Sequence, residues 1–361
     1  MGNRGSVRID CGGKAGRYAV HADWPDGLSG QERQISECGT GIELPFTAVR
    51  RGSWTMPDLW LGWSTPWRLF QRVQVLRGAR EIAVVPDIRP LQSGEISVRV
   101  RSELFGVKEN SLIGEGSEFH QLRDFVPGMD VRSIDWKRSA RHRGLLAKEM
   151  RAERNHHIVL CVDAGRLMRE EIAGLPKVDH AVNAALALAW AGAIGGDLVG
   201  FFSYDARPRI YLPPVQGRGG FARIRSRSAD VAYASVEANH TLAFAELGAR
   251  TPRRSLLVVF TDFTDPTTAG LLVENLGVLA RRHAIIFVAL RNPDDEPPIG
   301  TAPASLDAVA ATVVRSERAT ERHRVMDSLR RIGLTVLDCA PGKVTPRLIA
   351  AYLELKARDV I

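Results

Sequence analysis

The sequence has few cysteines, and they lie far apart. The four cysteines of the 361-residue chain are Cys11, Cys38, Cys161 and Cys339. None belongs to a CxxC pair or has a histidine at ligand spacing, which argues against a zinc site. Cys161 and Cys339 fall in apolar, strand-like runs, where a free thiol usually acts as a small buried hydrophobe. Unpaired cysteines of this kind indicate a reducing compartment.

Export signals and membrane-spanning runs are also lacking in the sequence as written. No apolar segment of the signal-peptide type occurs near the N-terminus. The longest uninterrupted apolar stretch, 184–196, has 13 residues. A helix needs about 20 such residues to cross a bilayer. We therefore expect a cytoplasmic protein.

The motifs of the common enzyme classes are missing as well. The chain has no GxxxxGK[ST] phosphate loop, no G-x-S-x-G nucleophile elbow and no HExxH metal motif. A dinucleotide fingerprint begins at Gly114 and Gly116 but lacks its third glycine, and it precedes the predicted parallel sheet by some forty residues. We therefore expect a protein that is not an enzyme and needs no cofactor.

What is present is an ordinary globular composition with a basic excess. Apolar residues make up 45% of the chain and charged residues 25%, and the formal net charge is +8. The length allows two domains of about 150 residues each. The basic excess is compatible with a nucleic acid, an anionic surface or an acidic protein as partner.

Residues 1–100 show the pattern of a small antiparallel β domain. Short β-branched and aromatic runs are separated by glycine, proline and aspartate, as in all-β proteins. Five of the seven tryptophans fall in this region, and we interpret them as core and rim side chains of a thin β unit. They are Trp24, Trp54, Trp60, Trp63 and Trp67.

Residues 156–361 show the pattern of a doubly wound, Rossmann-like α/β domain, which makes the whole chain α+β. Fully apolar strands alternate with helical segments, as in a parallel sheet covered on both faces. The predicted strands are 157–163, 197–204, 255–262, 284–290 and 334–339, with an antiparallel edge strand at 207–214. The predicted helices are 178–194, 220–248, 267–283, 305–332 and 345–358.

The charged connector between them, residues 101–155, is neither clearly strand nor helix, and it contains the most distinctive motif. Residues 114–150, GEGSEFHQLRDFVPGMDVRSIDWKRSARHRGLLAKEM, resemble the signature of the domain-of-unknown-function-58 family of bacterial and archaeal proteins. The upstream Arg51–Gly52–Ser53–Trp54 is similar to an Arg-Gly-x-Tyr element of the same family. The resemblance covers residues 45–361 and implies a C-terminal von Willebrand factor A-like domain.

The ends of two predicted strands carry aspartates that fit this resemblance. Asp163 ends the first strand of the α/β domain, and Asp262 follows VVFT. In the von Willebrand factor A fold, a metal-ion-dependent adhesion site begins as Asp-x-Ser-x-Ser, but here Gly165 and Leu167 replace both serines. A threonine of that site also has no clear counterpart in 214–220. The resemblance thus implies a degenerate site at Asp163 and Asp262, with Mg²⁺ as its candidate ion. The alternative is that both aspartates only cap the segments that follow them.

The signature segment mixes both charge signs around one tryptophan. We favour a structural interpretation, in which an ion-pair network anchored by Trp136 clamps the β domain onto the α/β domain. The alternative is a partner-docking surface, since exposed arginine and tryptophan are typical of binding hot spots. The residues concerned are Arg123, Asp130, Arg132, Asp135, Trp136, Arg141, Lys148 and Glu149.

The basic excess is concentrated next to this segment. Residues 132–154 contain eight lysines and arginines against three acidic residues, and 217–228 adds four arginines with no acid. Such faces attract an acidic protein or anionic lipid headgroups. No nucleic-acid recognition motif accompanies the charge, so nucleic acid is the less favoured partner.

The family resemblance implies a non-enzymatic protein-interaction or adaptor module. Members are often encoded beside MoxR-type AAA+ ATPases and are thought to assist them in assembly or envelope-related maturation. Members also commonly carry two membrane-spanning helices before the β region, so the protein would be membrane-associated if this chain lacks them. The contacts would lie on the loops at 163–169, 214–220 and 262–267 and on the basic connector. The alternatives from other classes are a basic nucleic-acid-binding protein and a Mg²⁺-dependent hydrolase built on Asp163 and Asp262.

Overall fold

Nine strands form antiparallel sheets in the N-terminal part of the computed structural model. The structure describes residues 4–10, 16–38, 41–56, 58–65, 69–78, 81–86, 118–126, 129–141, 144–151, 155–292, 306–358 and 360. The strands are β1 (Arg4–Asp10), β2 (Gly16–Ala22), β3 (Leu28–Gly30), β4 (Arg33–Cys38), β5 (Gly41–Ala48), β6 (Gly52–Thr55), β7 (Leu59–Ser64), β8 (Gln71–Leu76) and β9 (Glu81–Val84). Their sheet orders are β1-β5-β3, β4-β2-β7-β8 and β6-β9.

The core of this β region is small. Alternate residues of β5 are buried, so Ile42 and Leu44 face a cluster that also contains Val20 and Leu61. Period-two burial of this kind is typical of a sheet with one covered face. The tryptophans at positions 24, 54, 60 and 63 are half-buried at the margin of the small cores, as predicted, and Trp67 lies outside the described residues.

The connector contains regular structure that the sequence analysis did not predict. Strands β10 (Glu118–Asp124) and β11 (Leu146–Arg151) pair antiparallel. A 3-10 turn (Val131–Ser133) and a short helix, α1 (Trp136–Ser139), lie between them. The prediction that this segment is neither strand nor helix was therefore wrong, because its charged strands lack the apolar alternation by which strands are recognised.

The C-terminal part is built on one six-stranded mixed sheet. Its strands are β12 (His157–Asp163), β15 (Leu198–Tyr204), β16 (Pro208–Gln216), β17 (Leu256–Phe260), β18 (Ala284–Leu290) and β19 (Thr335–Cys339). The order is β16-β15-β12-β17-β18-β19, and every neighbouring pair is parallel except β15 with β16. The parallel strands and the antiparallel edge strand lie where the sequence predicted them.

Helices cover both faces of this sheet. They are α2 (Lys177–Ile194), α3 (Gly217–Ser228), α4 (His240–Arg250), α5 (Pro266–Ala280), α6 (Leu306–Arg331) and α7 (Pro341–Ala357), with a two-residue hairpin of β13 (Glu171–Ile172) and β14 (Leu175–Pro176) before α2. Helices α2, α3 and α7 pack on one face and α4, α5 and α6 on the other. Successive residues of β12 point alternately to these two cores, and all of Ile158–Val162 is inaccessible to solvent.

Two details of the predicted α/β pattern were wrong. The single helix predicted at 220–248 is two helices, because α3 ends at Ser228 and Asn239 caps α4 by accepting a hydrogen bond from the Leu242 amide. The loop predicted at 214–220 does not exist, since β16 continues to Gln216 and α3 begins at Gly217.

Candidate functional site

The best candidate site lies where the strand order reverses. Strands β12 and β17 are neighbours in the sheet, but their chain connections lead to opposite sides of it. Clefts outside the carboxyl ends of strands at such a switch point are the usual ligand sites of open α/β sheets. Asp163 ends β12 and Asp262 follows β17, and the two residues are 2% and 3% exposed. The structure thus brings together the two aspartates that the sequence analysis named.

Asp163 is held entirely by hydrogen bonds from this chain. Its Oδ1 accepts the Gly165 amide at 2.7 Å, and its Oδ2 accepts the Thr261 hydroxyl at 2.6 Å. Burial raises the pKa of Asp163 to about 7, and these two hydrogen bonds reduce that shift only in part. This carboxyl group is therefore a protonatable structural link between the ends of two strands.

This raised pKa predicts a pH dependence of stability. Between about pH 4 and pH 7 the native state keeps a proton that the unfolded chain has lost, so the free energy of unfolding falls as pH rises and levels off above the folded pKa. Asp163→Asn removes the titration. Its oxygen can still accept from the Gly165 amide, and its NH₂ group would donate to the Thr261 hydroxyl oxygen. Urea denaturation measures the free energy of unfolding of both proteins. Its value for the variant minus that for the wild type should increase by about 2–4 kcal/mol between pH 5 and pH 8. Parallel pH profiles for the two proteins would contradict the assignment.

Asp262 is bound by two cationic side chains. Lys177 Nζ lies 2.6 Å from Asp262 Oδ2, and Arg322 Nη1 lies 2.7 Å from Oδ1. The same Lys177 ammonium contacts Glu170 at 2.5 Å, and Arg322 Nη2 contacts Asp338 at 3.1 Å. The Asp262 carboxylate therefore connects the first turn of α2 with the middle of α6, across the end of the sheet.

The position of Lys177 needs an electrostatic explanation. It is the first residue of α2, where the helix dipole disfavours a positive charge. Burial alone would lower the pKa of Lys177, but the charges and hydrogen bonds of Asp262 and Glu170 outweigh it and hold the pKa above its ordinary value. The ammonium is thus a fixed cation whose place is defined by the carboxylates.

The arrangement does not fit a divalent cation. Each carboxylate oxygen of Asp163 and Asp262 already accepts from an N–H or O–H donor. Of the five donors, two are cationic side chains, one is a hydroxyl group and two are backbone amides. A hard cation needs an almost complete shell of oxygen ligands. Within the described ranges, no cluster of three or more histidines, cysteines or acids is arranged to hold a metal ion. We call Lys177, Asp262 and Arg322 the fixed-cation triad.

A cleft opens directly above this triad. It has a volume of about 590 Å³ and lies between the loops after β12, β17 and β18 and the exposed side of α6. Its wall mixes arginines with acids and with a few apolar side chains. The residues that line it are Arg166, Leu167, Glu170, Lys177, Asp262, Phe263, Thr264, Asp265, Ala269, Leu290, Arg291, Asn292, Arg315, Arg318, Ala319, Glu321, Arg322, His323 and Asp338.

An arginine from the β region contacts the first turn of α2, the same turn that contains Lys177. Arg51, from the Arg-Gly-Ser-Trp motif, is 1% exposed, and its Nη1 lies 2.8 Å from Asp179 Oδ1. Its Nη2 donates to the Val231 carbonyl at 2.9 Å, while the Tyr233 hydroxyl donates to Asp179 at 2.9 Å. Burial raises the pKa of Asp179 although Arg51 and Tyr233 oppose the shift. The first turn of α2 therefore joins the β region to the cleft.

Most of the signature side chains that the structure describes are exposed rather than buried in the predicted network. Trp136 is 64% exposed, so its proposed role as apolar anchor was wrong. Ile134 and Ala147 are among the buried residues of the described part of this segment. Asp130 and Asp135 accept hydrogen bonds from the backbone amides of Arg132 and Arg138 and so cap short turns. These hydrogen bonds join residues only two or three positions apart, because the turns they cap are only three and four residues long.

The remaining signature residues are not among those that line the cleft in the described part of the chain. Arg132 and Arg141 are exposed. Arg123, Lys148 and Glu149 lie in the backbone pairing of β10 with β11, and their side chains lie outside the described parts of the chain. Their proposed role on a partner surface therefore stays a prediction.

The sequence analysis missed the cations of the site. Lys177 stands before an apolar helix with no motif around it, and Arg322 is one of many charges on α6. One signal was present, since a lysine at the first position of an otherwise buried helix needs an acidic partner. Asp338, in the last strand, was missed for the same reason, because its partner lies on another element.

The chain belongs to the family described as "Protein of unknown function DUF58", whose model matches residues 121–329. That range includes residues 121–150 of the signature segment, both aspartates and the whole fixed-cation triad.

Mycobacterial proteins are among its relatives. The chain is 28% identical over 206 residues to "Uncharacterized protein Rv1480" of Mycobacterium tuberculosis and to "Uncharacterized protein Mb1516" of Mycobacterium bovis. The match covers 55% of this chain and 64% of each relative, so it spans less than two thirds of their length.

Three solved structures show weak likenesses. The conserved hypothetical protein BatB of Bacteroides thetaiotaomicron has a TM-score of 0.41 at 13% identity, covering 56% of this chain and 100% of that one. The RO (RSR) protein of Deinococcus radiodurans has a TM-score of 0.28 at 12% identity, covering 76% and 50%. An uncharacterized membrane spanning protein of Vibrio fischeri has a TM-score of 0.21 at 11% identity, covering 56% and 97%. These scores are too low to assign a fold or a function.

Among the helices that the structure describes, none is both long enough and apolar enough to cross a bilayer.

Proposed function

We propose that this chain is a non-enzymatic protein-interaction module with a von Willebrand factor A-like C-terminal domain, and that its partner is a MoxR-type AAA+ ATPase. The observation that carries the proposal is the cleft at the carboxyl ends of the strands, which is open above a floor of internally paired charges. A cleft whose floor is already held by internal ion pairs can bind a partner without catalysing a reaction.

The sheet supports the domain assignment. Numbered along the chain, its six main strands have the spatial order 3-2-1-4-5-6, with the third strand antiparallel at the edge. Asp163 and Asp262 stand at the adjacent ends of the first and fourth of these strands, as the resemblance implies. The fixed-cation triad occupies the place where the resemblance would put a metal ion.

The side chains of the cleft support binding rather than catalysis. Its lining, as far as the structure describes it, contains no serine, cysteine or tyrosine. The buried thiols of Cys161 and Cys339 have pKa values raised by burial, so they remain protonated. The carboxylate at the centre, Asp262, is bound between two cations and is not oriented as a base toward the cleft.

Retention of the ATPase on the immobilised chain tests the proposal. The bait is the purified full chain, and the prey is a MoxR-type ATPase encoded in the same genome. We expect wild-type chain to retain the ATPase, and Arg318→Glu at the cleft or Arg141→Glu in the signature segment to reduce its recovery. Arg281→Glu, an exposed change between α5 and β18 at the amino ends of the parallel strands, is the matched control and should retain it fully. No retention by wild type, or equal recovery with all variants, would overturn the proposal.

A further inference from the structure

The charges of the cleft are arranged in two tiers, and every charged group of the lower tier is paired within the chain. The floor consists of the fixed-cation triad with Glu170 and Asp338, and every member contacts an opposite charge within 3.1 Å. The charged side chains of the floor are thus already paired with one another. A ligand would have to be recognised by the upper tier.

The upper tier has more positive than negative groups. It comprises four arginines, Arg166, Arg291, Arg315 and Arg318, against two acids, Asp265 and Glu321. Asp265 is already engaged, because its carboxylate accepts the Thr268 amide at 2.8 Å and caps α5. Arg166 is likewise paired, with exposed Glu237 at 2.9 Å.

Arg315 and Arg318 are the available cations of this rim. Both are exposed on α6, and neither has an acidic partner among the residues that the structure describes. With Arg322 they follow the spacing i, i+3, i+7, which places all three on one helix face toward the cleft. The row extends about 10 Å along the helix axis at 1.5 Å per residue.

This geometry favours an extended acidic peptide. In an extended chain, alternate side chains point the same way about 7 Å apart, so two carboxylates can reach neighbouring arginines of the row. Guanidinium groups bind carboxylates through paired hydrogen bonds. The apolar wall of Leu167, Phe263 and Leu290 provides contacts for peptide carbon atoms that a phosphate ion would leave unused.

We infer that the cleft receives an extended acidic segment of a protein partner, whose carboxylates pair with Arg315 and Arg318 above the fixed-cation triad. This inference rests on the proposed function, since it names the chemistry by which the interaction module holds its partner. Recognition is then direct, from arginine to carboxylate, with no bridging metal ion.

Binding of a labelled peptide tests the inference. The probe is an N-acetylated, C-amidated hexaglutamate peptide carrying a fluorophore, followed by fluorescence anisotropy at low salt with the full chain. Hexaglutamine serves as the neutral probe. We expect saturable binding of hexaglutamate alone, weakened roughly tenfold or more by Arg315→Glu with Arg318→Glu. The matched control is Arg281→Glu with Arg282→Glu, which reverses two exposed arginines at the amino ends of the parallel strands and should leave binding unchanged.

Other results would overturn the inference. Equal weakening in the control variant would show attraction by net charge alone, and equal binding of hexaglutamine would show that the carboxylates are not recognised. Complete competition by millimolar inorganic phosphate would indicate a simple anion site. Binding to phosphatidylserine vesicles that the Arg315/Arg318 variant alone loses, without peptide binding, would assign the rim to a membrane surface.

The two proposals can fail separately. If hexaglutamate binds at the rim while the ATPase is not retained, the partner is another acidic protein. If the ATPase is retained equally by the Arg315/Arg318 variant, the module works through a different surface and the cleft inference is wrong.

Discussion

Lys177→Met is expected to lower the free energy of unfolding by about 3–5 kcal/mol, because it leaves a buried carboxylate without its closest cation. The Lys177 and Asp262 side chains are 5% and 4% exposed, so water cannot replace the lost contact. Methionine keeps the length and apolar stem of lysine, which limits the effect of packing. Chemical denaturation of the full chain at neutral pH measures the change.

Two further variants make this result specific. Lys343→Met removes an exposed lysine from the first turn of α7 and should change stability by less than about 0.5 kcal/mol. Lys177→Met combined with Asp262→Asn should recover part of the loss, since the unpaired charge is then removed as well. If the single variant were as stable as wild type, Lys177 would not be holding the strand ends together.

Arg51→Met is expected to cost a similar amount, about 3–5 kcal/mol, and to loosen the β region from the α/β domain. The ion pair of Arg51 with Asp179 is completely buried, and the same guanidinium donates to the Val231 carbonyl. Five of the seven tryptophans lie in residues 24–67, so tryptophan fluorescence reports mainly on the β region. Its denaturation midpoint should fall in the variant.

The neighbouring residue supplies the control for this prediction. Arg50 is half-exposed and lies 3.8 Å from exposed Glu171, so Arg50→Met should have an effect below about 0.5 kcal/mol. A double-mutant cycle with Asp179→Leu should show strong coupling to Arg51, because each single change leaves the other group unpaired. Simple addition of the two single effects would mean that the pair does not link the two parts of the chain.

The fold was predictable where one residue type dominates an element. Strands such as HIVLCVD have a continuous apolar centre, here Ile158–Val162, because both faces of the sheet are covered. Their ends were predicted to within a residue or two. The break between α3 and α4 was missed because alanines continue through it. Only the capping residue Asn239 marks it locally. The hairpin of β10 with β11 was missed because its pattern is polar.

The site was predictable only in part. Asp163 and Asp262 could be named because strand ends are recognisable in sequence and adjacent parallel strands bring them together. Lys177 and Arg322 approach Asp262 from helices 85 and 60 residues away along the chain, and no local spacing signals such contacts. The partner of Arg51 lies 128 residues further on, so the motif that contains it could be noticed but not explained.

Titration of the purified chain with MnCl₂ or MgCl₂ by isothermal calorimetry most directly tests the claim that fixed cations stand in place of a metal ion. With every carboxylate oxygen of Asp163 and Asp262 engaged by donors of the chain, we expect no saturable heat up to millimolar metal, and the same flat trace for Asp262→Asn. One-to-one binding by the wild type that disappears in Asp262→Asn would contradict the claim.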